Sequence, residues 1–220
     1  MSGAPGSEPS STLPVWNVLP WHSAFLRIQD YQWNEVAVPF WKEVQAYAAD
    51  HDVKVCLEMH PGNVVFNPRT MERLATEINA THVGAEMDPS HLFWQGIDPT
   101  DATESLGSLV YNAAAKDTRI NPTARINGTI DDSFTYVPKG DPRWFSMGGP
   151  QTLSGWPTNP SWDFVAVGRG HDVDWWTGFL NALEAIDEDM AVNIEHEDQE
   201  LDQMEGLRYA AKTLLKAAGR

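Results

Sequence analysis

Four short stretches of this chain place acids beside histidines or basic residues in a repeated way. They are Glu58-Met59-His60-Pro61-Gly62, Asp88-Pro89-Ser90-His91, Lys116-Asp117-Thr118-Arg119 and Glu195-His196-Glu197-Asp198. Each follows an apolar run suited to a core strand. A single charged strand end is ordinary solvated surface. Four in succession, three of them pairing acid with histidine, imply a constellation around one point. Carboxylates gathered in a partly buried site repel one another, so something must neutralise them. A hard divalent cation does this most directly, and oxygen-rich ligation suits Mn²⁺ or Mg²⁺ over a thiolate-loving ion. An acid/base cluster without metal is the alternative that the residues leave open.

The elements that must position these groups alternate along the chain. Residues 30–50 have helical spacing, with Trp33, Val36, Phe40, Val44 and Tyr47 on one face, and Pro39 should kink or divide the helix. VKVCLEM (53–59) is a continuous β-rich run, the mark of a strand covered on both faces. The helix of 67–80 opens with Asn67 as N-cap and Pro68 at its first position. A second strand (82–88), a short helix closed by Gly107 (98–107) and a third strand (108–117) follow. Residues 118–162 are rich in Gly, Pro, Asn and aromatics, too long for an idle connection and expected to form an active-site loop. A helix in 168–187 is expected to bury Val173, Trp176, Phe179, Leu180, Leu183 and Ile186. A fourth strand (191–195) and a last helix near 203–218, burying Met204, Leu207, Ala211 and Leu214, complete the order. Strand and helix alternate four times, which implies βαβ units and a parallel sheet in one α/β domain. In a parallel barrel the C-terminal strand ends all face the side where the active site forms.

Composition bounds the function classes. The chain has 220 residues, 42% of them hydrophobic and 10 of them Trp, enough to bury a sizeable core. Its net charge of −16 and lack of a basic patch argue against a nucleic-acid partner. Cys56 is the sole cysteine, so no intramolecular disulfide can form; it is expected to be a small buried hydrophobe in a reducing compartment. No apolar stretch approaches the ~20 residues of a membrane span. MSGAPGSEPSSTLP lacks the basic and apolar regions of a signal peptide, so a cytoplasmic enzyme or subunit is expected.

LEMHPG, MDPSHLFWQGIDP, AKDTR, the GRGHD turn and NIEHED together resemble the xylose isomerase-like TIM-barrel family of sugar phosphate isomerases and epimerases. The resemblance runs from the first residues to the last, and DPSHLFWQGIDP is its most specific stretch. MSGAPG resembles the end of the family's fourth strand. The resemblance therefore implies a single (β/α) domain over 1–220 that is N-terminally incomplete, carrying only strands five to eight of the barrel. It also implies that Glu58, Asp88 and Glu195 are metal ligands. The family's fourth ligand is usually a histidine in a His-x-His-x-Lys-Asp pattern, where this chain has Asn112 and Ala114. His91, three residues after Asp88, is then the residue that closes the set, and in relatives it more often contacts substrate; His60 is a weaker substitute.

By the same resemblance the metal polarises a sugar carbonyl while Glu58 and Glu195 move the proton on the adjacent carbon. Mn²⁺ is the expected ion, with Mg²⁺ or Co²⁺ as alternatives. His60, His91, Trp94, Lys116, Arg119 and Glu197 are the expected substrate contacts. Lys116 and Arg119 would hold an anionic group or pair with Asp117, and Trp94, Phe134, Trp144 and Trp156 would stack on a sugar ring or wall the pocket. The expected activity is a metal-dependent sugar or sugar-phosphate isomerase or epimerase. A lyase of the same fold that cleaves oxidised C-glycosides uses the same base-plus-metal chemistry, and a non-catalytic or partner-dependent fragment fits the absent half-barrel and Ala114. Metal-dependent DNA-repair endonucleases share the superfamily, but the charge and the few histidines speak against that activity. Half a barrel leaves two strand edges and an apolar interior uncovered, so a homo-oligomer or a partner supplying the other half is expected.

Overall fold

A computed structural model describes residues 3–148 and 151–220. The four strands read from the sequence form one sheet. Val55–Glu58, Val83–Met87, Val110–Ala115 and Val192–Ile194 lie side by side in that order, each pair parallel. Each crossover thus steps one strand onward in the same direction, the winding of a (β/α) barrel and not of a doubly wound sheet. Among the described residues the sheet stays open: its first and last strands each pair on one side only.

Alternation along the strands decides what each face carries. Leu57, Val83, Ala85, Met87, Ala113 and Ala115 point into a core shared with Trp41, Leu74, Ile78, Trp176, Phe179 and Leu183 of the covering helices. The other face is polar. There Asn112 Nδ2 donates to Glu86 Oε1 (2.9 Å) and to Asn193 Oδ1 (3.1 Å), across three strands. Cys56, in register with Gly84, is half-buried outside the core, so it is not the buried hydrophobe expected. The expected apolar interior is corrected in the same way.

Local sequence explains the helix ends. Asn67 accepts the Thr70 N–H (3.0 Å), and Pro68 starts the helix Pro68–Ile78. Gly107, with φ of +50°, closes Pro99–Leu106.

Two expected helix faces are corrected. Before Pro39, residues Tyr31–Ala37 take a π-helical form that runs into the helix Val38–Asp50. That wider turn resets the phase, so Trp33, Ala37, Trp41, Gln45 and Ala48 face inward while Phe40 and Tyr47 are exposed. Gln45 belongs inside because its carbonyl accepts the N–H groups of Thr81, His82 and Val83 at the start of the second strand. In the last helix, Gln203–Ala217, the buried residues are Gly206, Ala210, Thr213 and Ala217, and Met204 is exposed. A small-residue face is needed there because a Cβ at position 206 would collide with the His196 ring.

The segment 118–162 is not loop throughout. Its ends belong to an antiparallel pair, Asp117–Ile120 with Trp162–Val165, and a helical turn (Ala124–Asn127) and short ribbons lie between. No helix among the described residues is long and apolar enough to cross a membrane.

Candidate active site at the strand ends

Three strand ends deliver the acids to one place. Glu58 closes the first strand, Asp88 follows the second and Glu195 follows the fourth. One carboxylate oxygen from each lies within 4.8 Å of the others. Glu58, His60 and His91 form a second such group, also within 4.8 Å. His91 sits on the short helix Ser90–Phe93, directly after the second strand, and is fully buried. Its Nε2 is 3.2 Å from Glu58 Oε1 and 3.4 Å from Asp88 Oδ2, without hydrogen-bond alignment to either.

The electrostatics are unbalanced in a way that favours a ligand. Asp88 is 1% exposed; Oδ1 accepts the Ser90 N–H (2.8 Å), and Oδ2 is buried with no hydrogen-bond partner. Burial pushes its carboxyl up to about 8, against the opposing pull of Lys116 and Ser90. Burial likewise pushes His91 down to about 4, so its ring is neutral near pH 7 and both nitrogens lack partners. Burial works to raise Glu58 too, but the contact with His91 and the fields of His60 and Lys116 outweigh it and hold Glu58 low. Lys116 is buried, which would lower its ammonium; Asp88, Glu197 and Glu195 together hold it high. Its Nζ lies 2.8 Å from Glu197 Oε1, 3.5 Å from Glu195 Oε2 and 4.3 Å from the centre of the Phe164 ring. Orphaned oxygen and imidazole atoms beside three carboxylates are a donor set that fits a hard or borderline divalent ion.

Above the acids opens a cavity of about 440 Å³ whose wall includes His60, His91, Trp94, Lys116, Phe164 and Glu197. Trp94 is buried and stacks on Trp162 at 5.4 Å. Phe134 and Trp156 also line it, but Trp144 does not. Arg119, expected at the substrate, has its guanidinium 3.1 Å from both Asp163 and Glu200 and lines not this cavity but a neighbouring one, which shares Trp156, Phe164 and Glu197 with it. Strand alternation turns Arg119 toward those two acids. Asn112 binds Glu86 and Asn193 on the polar sheet face, and Ala114 is buried without polar atoms, so neither substitutes for a histidine ligand.

Asp117 and the GRGHD turn, named among the strand-end motifs, brace the site, a role that their residue types alone do not reveal. Asp117 is fully buried and accepts the N–H groups of Thr118, Gly168, Gly170 and His171, as well as pairing with His171 Nδ1 at 2.7 Å. A Cβ on Gly170 would strike Thr118 and Asp117 themselves. The two glycines of GRGHD were the available signal: a chain must come very close to something there.

A family model described as a xylose isomerase-like TIM barrel matches residues 13–217. The uncharacterized protein YfiH of Bacillus subtilis (strain 168) is 31% identical over 218 residues, covering 97% of this chain and 63% of that protein. The chain thus spans less than two thirds of that relative. Among solved structures, the probable 3-DHS dehydratase AsbF of Bacillus anthracis aligns with a TM-score of 0.53 at 16% identity, over 86% of this chain and 57% of that one. The IOLI protein, solved with a binding zinc atom, aligns with a TM-score of 0.52 at 18% identity, over 93% and 60%. A xylose isomerase-like TIM-barrel protein from Mycobacterium smegmatis, in complex with magnesium, aligns with a TM-score of 0.51 at 14% identity, over 83% and 51%. Identities this low establish a shared fold.

Proposed function

Since the chain belongs to the xylose isomerase-like TIM-barrel family, we propose that it is an enzyme that moves a proton next to the carbonyl of a small carbohydrate. The observation that carries this is the meeting of Glu58, Asp88 and Glu195, from three separate strands, within 4.8 Å beside an unpartnered buried oxygen. Glu58, Asp88 and Glu195 would hold a divalent ion with His91 as the nitrogen donor. Mn²⁺ is the first choice for such an oxygen-rich set; zinc and magnesium accompany two of the structural neighbours. When bound, the ion would supply Lewis acidity to the carbonyl oxygen.

The chain's own residues supply the proton path. Glu58, held low, is ionised at neutral pH and suits the base that takes the C–H proton. Glu195, the cluster's other glutamate, would return a proton at the neighbouring carbon or the opposite face. Lys116 keeps Glu195 and Glu197 in place, and the aromatic wall keeps bulk water from the reacting carbon.

The test is exchange of the carbon-bound proton with solvent deuterium, followed by NMR on the metal-loaded protein with a panel of ketoses and aldoses. Wild type is expected to incorporate deuterium. Glu58→Gln is expected to lose at least about a hundredfold in exchange rate, the scale of a removed general base. Full exchange in Glu58→Gln would end this reading.

A further inference from the structure

The cavity above the acids is walled largely by rings. Trp94 and Trp162 stack at 5.4 Å with planes 10° apart, Trp156 meets Trp162 edge-on at 5.2 Å, and Phe134 meets Trp156 at 5.0 Å. Phe164 and Trp16 extend the same wall. A volume of about 440 Å³ falls in the usual range for a small-molecule site.

The charge on that wall is the second observation. Among the described lining residues Lys116 is the sole lysine or arginine, and it is already shared between Glu197 and Glu195. Asp131 and Glu197 add negative charge at the cavity, and Glu58 lies beneath. The arginines nearby are committed elsewhere: Arg119 to Asp163 and Glu200, Arg169 to Asp198 and Glu200, Arg143 to Asp141. A phosphoryl group needs a fork of free cationic or N–H donors. Here it would meet carboxylates and one saturated ammonium.

We propose that this cavity selects an uncharged carbohydrate that keeps a free carbonyl and bears a flat apolar substituent over a sugar phosphate, and an aryl glycoside serves as its non-reacting binding probe. The polar ring would sit at His60, His91 and Lys116, and the flat substituent would lie against Trp156, Trp162 and Phe134. Apolar C–H faces and aryl rings stack on indoles without any charge to desolvate. The proposal deepens the functional reading above and rests on the acid cluster being the reacting end.

Isothermal titration calorimetry of the metal-loaded full chain with phenyl β-glucoside, glucose and glucose 6-phosphate tests it. Phenyl glucoside should bind about tenfold or more tighter than glucose, and glucose 6-phosphate more weakly than glucose. Trp156→Leu should cut the phenyl preference about tenfold, while Trp156→Phe keeps most of it. Melting curves of both variants establish that they fold. Tightest binding by glucose 6-phosphate, equal binding of phenyl glucoside and glucose, no binding of any probe, or a preference unmoved in Trp156→Leu would each overturn the proposal. Wild-type deuterium exchange, read beside these titrations, separates the two claims. A phenyl preference without exchange sinks the reaction and spares the cavity; exchange without the preference does the reverse.

Discussion

Asp88 shows how one residue can make a site demand a ligand. Its Oδ1 is satisfied by Ser90, its Oδ2 by nothing, and no solvent reaches it. Leaving a buried acceptor unpaired costs about 1–3 kcal/mol. A cation held by Glu58, Asp88, Glu195 and His91 would remove that cost, displacing the proton that burial favours on Asp88. We therefore expect purified protein to take up about one divalent ion per chain. Glu195→Gln should lower its affinity by more than the ten- to hundredfold typical of losing a mere supporting partner of a ligand. Elemental analysis after dialysis against Mn²⁺ reads this directly, and unchanged metal content in Glu195→Gln would show that Glu195 is not a ligand. These acids were visible in the sequence because each ends a strand-like run. The pairing of Arg119 with Asp163 and Glu200 was not visible in the same way, since residue type does not reveal which acids a strand's neighbour will bring.

At the scale of elements, the turn 168–172 works as a clamp that fixes the third strand's end to the following helix. Asp117 holds it through three backbone N–H bonds, from Gly168, Gly170 and His171, and through the His171 ring. Asp117→Asn keeps the shape but loses the charge and turns one oxygen into a donor facing donors. Expected destabilisation is at least about 2 kcal/mol by urea denaturation, because hydrogen bonds to a charged acceptor are the strong ones. A loss under about 0.5 kcal/mol, the level of an ordinary surface change, would contradict the clamp. Asp198 plays a similar part nearby, accepting the Ala166 and Glu200 N–H groups and the Arg169 guanidinium. Burial opposes its ionisation, yet these bonds outweigh burial and hold it below its ordinary value of 3.8. A depressed carboxyl stabilises the fold above its unfolded value and loses that contribution as pH falls through its folded one. Wild type should therefore lose stability below pH 3.8, and Asp198→Asn, weaker at pH 7, should lose less across the same acid range. Parallel pH profiles of the two would expose an error. Element order, the Asn67 cap and the Gly107 stop were all legible, since each is set by local chemistry. The buried faces of the first and last long helices were not. They depend on a π-helical phase shift before Pro39 and on the His196 ring needing Gly206, which are tertiary facts.

For the whole molecule the open sheet is the governing feature. Val55–Glu58 and Val192–Ile194 each leave one row of backbone donors and acceptors without a strand partner among the described residues. Such edges invite pairing unless they are covered or charged. The face between them is not the apolar surface first expected: Glu86, Asn112 and Asn193 occupy it, tied by side-chain hydrogen bonds, with Cys56 half-buried on the first strand. Association would then be driven by backbone edges and by a polar seam, and opposed by the long-range repulsion of a chain carrying −16. These two forces respond differently to salt. Screening shortens the reach of the repulsion from about 30 Å at 0.01 M to about 8 Å at 0.15 M and leaves strand pairing nearly untouched. We expect light scattering to show a dimer or larger assembly whose population rises with NaCl over that range. Catalytic exchange should rise with it, because closing the sheet would shield the acid cluster from the open side. A stable monomer at 0.15 M salt, unfolding cooperatively and with full exchange activity, would mean that the open sheet is sufficient by itself.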